Sequence, residues 1–377
     1  MVRGRSLDRR TGCRSGVRPR AGPGGAPLGP SVRAERLIRS GTPGQYGPGA
    51  PLEDVVVLDE RAADDERWSR WPEAWVGTDC DVRTVLGAIP REVKDAFRYH
   101  EIPWERFPHF YGTGAEVPGL LRMLASDDAE AAGRALRRLW TTVHHQGSTI
   151  EVAALAVPFL LRIAAAGHPG LRADTLTLVA VSGRRQHLGD GTREGLLQVA
   201  EDPLLIGPVE CPVDWTVQAA RDAVTSDLHL PLSLLPDPDP KVRSAAAFVL
   251  ALATGEVPRV RSALRERLVV EDEPAVQVGL VLAVAQLARE QRDGSARDWV
   301  RELWSDPGRP PHVRIGAGLA WLCLVDSPAP YELRALLTDP GVRRHGDLFQ
   351  QVPWISPVDS VDGLRRCIED MLTPSAP

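Results

Sequence analysis

Lysine is almost absent from this chain of 377 residues, in which Lys94 and Lys241 stand against 43 arginines. A nucleotide-binding loop of the Gly-rich type requires a lysine after its glycines, and no segment has that pattern, so this class of phosphate site is excluded. The nucleophile motif Gly-x-Ser-x-Gly is also absent. Arginine is abundant together with alanine, glycine and proline, which indicates GC-rich coding. The arginine count alone therefore predicts no function.

Paired cysteines and long apolar runs are lacking as well. The cysteines are odd in number and include no Cys-x-x-Cys pair, which favours isolated thiols in a reducing, cytoplasmic compartment over a disulfide or zinc framework. They are Cys13, Cys80, Cys211, Cys323 and Cys367. No run approaches the ~18 apolar residues that a membrane helix needs. Aromatic residues make up only 5% of the chain, so the core must rest on leucine, valine and alanine.

Charge is divided unevenly between the first 50 residues and the rest. Residues 1–50 contain ten arginines against Asp8 and Glu35, a net charge of +8; because the whole chain carries −5, the remainder carries −13. An acidic folded part argues against a surface that neutralises nucleic-acid phosphates. Nucleic acid is therefore disfavoured as a partner, and a basic protein is favoured.

The N-terminal third divides into two regions of different composition. Residues 1–50 hold 11 glycines and 6 prolines without a periodic apolar face, and are predicted to be a disordered tail. Three interpretations stay open for them: an unstructured tail, a basic arm for nucleic acid or membrane surfaces, or residues upstream of the true start. Residues 51–114 are expected to cap the N-terminal end of the fold, with a ligand-stacking cluster as the alternative. Their tryptophans are Trp68, Trp71, Trp75 and Trp104.

One phrase recurs in the second half of the chain: an acidic turn, then valine followed by arginine or glutamine, then an alanine-rich helix. After Val242, Val276 and Val313, small or apolar residues follow at positions i+3, i+4, i+7, i+8 and i+11, and the same pattern follows Ala132. A buried helix face repeated at intervals of 34 and 37 residues is typical of a helical solenoid. We therefore predict an all-α, right-handed α-solenoid of about seven helix pairs over residues 115–375. A C-terminal capping helix is expected at residues 358–372.

The acidic turn and the dipeptide after it resemble the HEAT repeat, in the short form of bacterial proteins and phycobilisome-lyase-like families. Asp237, Val242 and Arg243 match that pattern in full, whereas the units beginning at Glu271 and Asp306 match it with a substitution or an insertion. The resemblance covers roughly residues 115–375 and implies an armadillo-like superhelix. It implies little about activity, because one fold hosts many functions.

Residues 139–161 also resemble a stretch of actinobacterial HEAT-repeat proteins. In such repeats the arginine donates hydrogen bonds to a turn carboxylate or carbonyl of its own or a neighbouring unit, and these contacts form a structural ladder. The planar guanidinium suits this role because it has several N–H donors. The resemblance assigns that role to Asp237, Arg243, Glu271, Asp306 and Arg343. Direct ligand binding by the arginines is the alternative.

The second helix of each pair is expected to line a concave surface that binds a partner. The candidate contacts on it are Trp140, His144, His145, Gln277 and Arg314. The two adjacent histidines suggest a metal site, but neighbouring residues on a helix point about 100° apart, and the nearby sequence offers no further ligands. No catalytic set, metal site or cofactor is predicted.

The sequence thus predicts a non-enzymatic scaffold that binds a protein, including a regulatory or immunity-like protein that blocks its partner. Two alternatives come from the resemblance: an enzyme similar to bilin lyases, or a nucleic-acid-binding protein similar to alkylpurine DNA glycosylases. No bilin site is recognisable, and the acidic balance opposes DNA binding. The oligomeric state is left open.

Overall fold

The computed structural model describes residues 81–109, 111–145, 148–184, 190–197 and 213–373. The expectations for residues 1–80 lie outside the described residues. They include the disordered tail and three of the four tryptophans of the capping region.

Within these ranges the chain is mainly α-helical, as predicted. The first eight helices are α1 (Val82–Gly87), α2 (Arg91–Asp95), α3 (Val117–Leu124), α4 (Ala129–Val143), α5 (Glu151–Ala166), α6 (Pro169–Ser182), α7 (Val213–Ser226) and α8 (His229–Ser233). The next eight are α9 (Pro240–Leu250), α10 (Val257–Val270), α11 (Pro274–Glu290), α12 (Ser295–Ser305), α13 (Pro311–Cys323), α14 (Tyr331–Thr338), α15 (Gly346–Phe349) and α16 (Gly363–Leu372). Two antiparallel ladders join β1 (Pro108–His109) to β2 (Gly112–Thr113) and β3 (His144–His145) to β4 (Ser148–Thr149). Among the described helices, none is both long and apolar enough to cross a bilayer.

The acidic turns of the repeated phrase begin the helices that follow them. The side chain of Asp128 accepts hydrogen bonds from the backbone N–H groups of Glu130 and Ala131 at the start of α4. Asp239 accepts one from Lys241 at the start of α9, where Pro240 occupies the first helical position. These contacts satisfy N–H groups that a helix terminus leaves without partners. The turn chemistry therefore fixes where α4 and α9 start, whereas α11 and α13 begin without a side-chain cap.

The second helices of successive pairs contact one another in chain order. Helix α4 packs against α6, α6 against α9, α9 against α11, and α11 against α13. First helices pack beside their own partners, as α3 does against α4, α10 against α11 and α12 against α13. Helix α5 is apolar around most of its circumference and contacts α3, α6 and α7, so it forms the core of the N-terminal half.

Two helices end earlier than their apolar patterns predict. The pattern extends α2 to Tyr99, but the helix ends at Asp95 because Phe97 adopts the left-handed conformation with φ of 51°. The N–H of Arg98 then donates to the carbonyl of Val93 at 3.0 Å, which closes the helix in the Schellman manner. The pattern extends α4 to Gln146, but the helix ends at Val143 because the next two residues form the extended strand β3.

The repeat pattern predicts one buried face on each second helix, and this is wrong for α9, α11 and α13. Nearly every residue of these three helices is buried, so each helix is covered around its whole circumference. The reason is the chain after residue 345, in which α15 packs on α11 and α16 packs on α13. This C-terminal segment, residues 346–372, covers the second helices. Its helix α16 begins at Gly363, later than the capping helix expected from residue 358.

Candidate functional site

The predicted contact residues of α4 lie together at the end of that helix. The rings of Trp140 and His144 meet edge-on with their centroids 5.7 Å apart. Trp140 is half-buried and His144 is buried. Most of the surface of this pair therefore contacts the protein itself, and little of it is accessible to a partner. The side chain of His145 lies outside the described residues.

Gln277 and Arg314 are held by their own neighbours. The side-chain amide of Gln277 donates to the backbone carbonyl of Glu271 at 2.6 Å, and its oxygen accepts from His312 Nε2 at 2.6 Å. Arg314 Nε donates to the backbone carbonyl of Trp304 at 3.1 Å. These residues lie on α11 and α13, and α6 and α9 stand between them and α4 in the packing order. The structure therefore does not bring the five predicted contact residues to one place.

The acidic turn residues and the arginines of the repeated phrase contact one another across units. Arg243 donates to both carboxylate oxygens of Glu271 at 2.8 and 2.7 Å, and to the backbone carbonyls of Asp237 and Pro238. Asp237 in turn accepts from Arg172 at 3.1 Å. These contacts tie α6, the turn before α9 and the turn before α11 to one another.

The two other residues assigned to the ladder lie elsewhere. Asp306 accepts the backbone N–H of Gly308 within its own turn and pairs with Arg309 at 3.4 Å. Arg343 is exposed in the 3₁₀ turn Pro340–His345. The structure therefore groups Asp237, Arg243 and Glu271, and leaves Asp306 and Arg343 apart from them.

Glu271 is the most strongly perturbed carboxylate of this group. Burial by itself raises its pKa, but hydrogen bonds from Arg243, from the backbone N–H of Glu273 and from Arg267 outweigh burial and lower the pKa to about 2. Its side chain is wholly buried. The charged form is thus favoured in the folded state.

Glu271→Gln is expected to lower the free energy of unfolding at pH 7 by roughly 3 kcal/mol. Because the folded pKa lies below the unfolded one, this stabilisation is present above the unfolded pKa and is lost as the pH falls towards about 2. Urea unfolding at pH 7, 5 and 3 should show the gap between wild type and variant narrowing with acid. Glu302→Gln, at an exposed position of α12, is the matched control and should show a small, constant gap. A gap for Glu271→Gln that does not change with pH would contradict this assignment.

Trp354 is one of the residues that anchor the C-terminal segment. Trp354 Nε1 donates to Gln286 Oε1 at 2.8 Å, and its ring meets Phe248 edge-on with centroids 4.6 Å apart. Behind them lies Arg184, whose guanidinium stacks on Phe248 and donates to the backbone carbonyls of Ala180 and Phe248. Burial lowers the pKa of Arg184 to about 9. This polar and aromatic cluster fastens the segment to α6, α9 and α11.

An open groove lies at the other end of the described chain, between residues 99–105 and α3. Its volume is about 230 Å³. Its floor is buried and consists of Tyr99, Ile102, Trp104 and Pro118. Its rim is exposed and consists of His100, Glu105, Ala115 and Arg122. We call this feature the aromatic groove.

Three contacts hold the floor of the aromatic groove in place. Trp104 Nε1 donates to the backbone carbonyl of Tyr99 at 2.9 Å, and both rings pack on Phe159 of α5, at centroid distances of 6.0 and 4.9 Å. Burial raises the pKa of Tyr99, and its hydroxyl has no hydrogen-bond partner among the described residues. Arg122 lies over the open side, with its guanidinium carbon 5.3 Å from the centre of the Tyr99 ring.

A glycine brings α3 close to this floor. A Cβ atom at Gly114 would lie 2.3 Å from the carbonyl oxygen of Trp104 and 2.4 Å from that of Phe107. The N–H of Gly114 donates to the carbonyl of Phe107 at 3.1 Å. Only glycine permits this approach, which sets the width of the aromatic groove.

Sequence reasoning reached this site only in part. The aromatic-rich region around Trp104 suggests either a cap or a stacking cluster, and it contributes the floor of the groove. Arg122 was missed. The available signal is the spacing of Ala115, Pro118 and Arg122, which places them on one face of a helix and the turn before it.

The described residues contain no group of three or more histidine, cysteine, aspartate or glutamate side chains able to hold a metal ion. Comparison of the chain with protein-family models, with curated proteins and with solved structures finds no match.

Proposed function

We propose that this chain is a non-catalytic protein that binds another protein, built as a right-handed, HEAT-like α-solenoid. The neighbour-to-neighbour packing of α4, α6, α9, α11 and α13 supports this architecture, because repeat proteins stack each unit on the next. The acidic turns that begin α4 and α9 support it too, since they recur at corresponding places in the pairs.

The observation that carries the proposal is the difference between the two ends of the array. The C-terminal segment buries Phe349, Val352, Trp354 and Ile355 against the second helices, so that part of the surface is occupied by the chain itself. At the N-terminal end the aromatic groove is open. We therefore place the partner at α3 and α4 and not along the whole row of second helices.

The size of the aromatic groove favours a protein over a small molecule. Pockets for drug-sized ligands measure roughly 300–1,000 Å³. The groove, at about 230 Å³, is smaller than that range. A volume of this size suits one side chain of a partner, with the surrounding surface of α3 and α4 in contact with the rest of it.

Three exposed arginines lie on α4, although residues 116–143 as a whole contain four arginines against four carboxylates. The exposed positions Arg134, Arg137 and Arg138 follow one another along α4. Arg134 pairs with Glu130 and Arg138 with Glu116, whereas Arg137 has no ion-pair partner among the described residues. The net charge of −13 beyond residue 50 favours a basic partner, but this surface favours contact with an acidic segment. We also propose a cytoplasmic location, which suits the free thiols of Cys323 and Cys367.

Affinity capture with the full chain tests the proposal. The immobilised protein is exposed to lysate of its source organism, treated with nuclease, and the captured proteins are identified by mass spectrometry against an unrelated helical bait. The leading protein is then purified and titrated into the chain by calorimetry. We expect a saturable complex that survives nuclease treatment.

Two results would contradict the proposal. One is capture that disappears with nuclease, which would favour the nucleic-acid alternative. The other is chemical conversion of a substrate by the purified chain that a single substitution abolishes, which would favour the enzymatic alternative.

A further inference from the structure

We infer that the aromatic groove recognises a partner segment in which one apolar side chain stands beside a carboxylate. The inference rests on the proposed function and names the chemistry of its partner. The apolar side chain enters the groove, and the carboxylate pairs with Arg122.

The floor supplies the apolar half of this recognition. Tyr99, Ile102 and Trp104 are nearly buried, and yet all three line an open groove. The hydrogen bond from Trp104 to the carbonyl of Tyr99 and the packing of both rings on Phe159 fix these surfaces before any partner arrives. A prearranged floor loses little conformational entropy on binding, which is typical of an anchor pocket.

Arg122 supplies the charged half. It has no carboxylate partner among the described residues, and stacking on the Tyr99 ring holds its guanidinium at the groove. A guanidinium fixed in this way has its N–H groups available for bidentate pairing with a carboxylate. Among the eight residues that line the groove, Arg122 is the one arginine and no lysine is present, so Arg122 is the cation that a partner meets at the rim.

Glu105 stands on the rim as the opposing charge. Among the described residues, no hydrogen bond or ion pair positions its exposed side chain, whereas the guanidinium of Arg122 lies over the Tyr99 ring. A cation that is already positioned contributes more to recognition than an anion that must be positioned on binding, because less side-chain entropy is lost. The rim thus favours a partner carboxylate on the α3 side of the groove.

Three short labelled peptides test this inference in fluorescence anisotropy with the full chain. The first carries one leucine between two aspartates in a background of glycine and serine. The second has serine in place of the leucine, and the third has lysines in place of the aspartates. We expect the first peptide to bind about tenfold or more tightly than either of the others, the usual effect of burying one apolar side chain or of a charge-assisted contact.

Two variants of the chain locate the binding. Arg122→Gln should weaken the first peptide about five- to tenfold and remove most of its salt dependence. Ala115→Phe, at an exposed rim position, should fill the groove and abolish binding without disturbing the core. Arg301→Gln on α12 replaces an exposed arginine far along the chain from the groove and should leave affinity unchanged. Circular dichroism of each variant verifies that it is folded.

Several outcomes would overturn the inference. If the lysine peptide bound as tightly as the aspartate peptide, or if neither Arg122→Gln nor Ala115→Phe changed the affinity, the groove would not be the site that recognises the peptide. Equal binding of free leucine would assign the groove to a small zwitterion. Binding seen only after deletion of residues 1–80 would make the chain's own N-terminal segment the occupant. A captured partner that still binds both variants would leave the proposed function standing with its contact elsewhere.

Discussion

Replacing Trp354 by alanine is expected to lower the free energy of unfolding by about 3–5 kcal/mol, the usual cost of emptying a buried aromatic site. The indole is 3% exposed, packs on Phe248 and donates to Gln286. Its loss leaves a cavity between the C-terminal segment and α9 and α11. Urea unfolding followed by far-UV circular dichroism measures the change.

Two further substitutions separate the causes of that loss. Trp354→Phe keeps most of the packing and removes only the N–H donor, so it should cost about 1 kcal/mol, because Gln286 still accepts from Arg184. Trp299→Ala is the matched control, since Trp299 is half-buried on α12 and stacks beneath Arg265. Trp299 also packs partly against the core, so its removal should cost more than about 0.5–1 kcal/mol, the contribution of a cation–π contact, but less than the removal of Trp354. Equal losses for Trp299→Ala and Trp354→Ala would contradict the anchoring role.

Ala246→Asp is expected to unfold the chain or to cost several kcal/mol. Ala246 is completely buried within α9, where a carboxylate would be removed from water. Thermal unfolding of the purified variant, or its failure to accumulate as folded protein, measures the effect. Ala335→Asp, at an exposed position of α14, should cost no more than about 0.7 kcal/mol of helix propensity.

Arg243→Gln on the same helix should be milder than Ala246→Asp, at about 1–3 kcal/mol. After this substitution Glu271 still accepts from Arg267 and from the N–H groups of Asp272 and Glu273. Comparable stabilities for Ala246→Asp and Arg243→Gln would contradict the observed orientation of α9.

The helices were predictable because their signals are local. Each signal lies in the helix that it specifies or within a few residues of it. The signals are an aspartate that caps α4 or α9, a proline at the first helical position, and apolar residues at helical spacing. The apolar patterns predict helices at residues 169–182, 213–226, 257–270 and 331–338, and α6, α7, α10 and α14 have these bounds. The end of α2 was missed because a non-glycine residue, Phe97, takes the left-handed conformation that sequence patterns assign to glycine.

The covering of the second helices was not predictable, because it depends on contacts between distant parts of the chain. Trp354 lies in a run of turns and meets Gln286 and Phe248, which belong to other helices. No feature of the sequence near Trp354 indicates which helices its side chain contacts. The aromatic groove is hidden for the same reason, since Trp104 and Arg122 face each other only once α3 has packed against residues 99–105.

Hydrogen exchange of the full chain, alone and with a captured partner, tests whether the C-terminal segment covers the second helices while the aromatic groove binds the partner. In the free protein, peptides from residues 346–372 should exchange as slowly as those from α9 and α11, because they form one packed unit. The partner should slow exchange in residues 99–105 and 115–124 and leave residues 240–323 unchanged. Rapid exchange in residues 346–372 of the free chain, or protection by the partner confined to residues 240–323, would contradict the account.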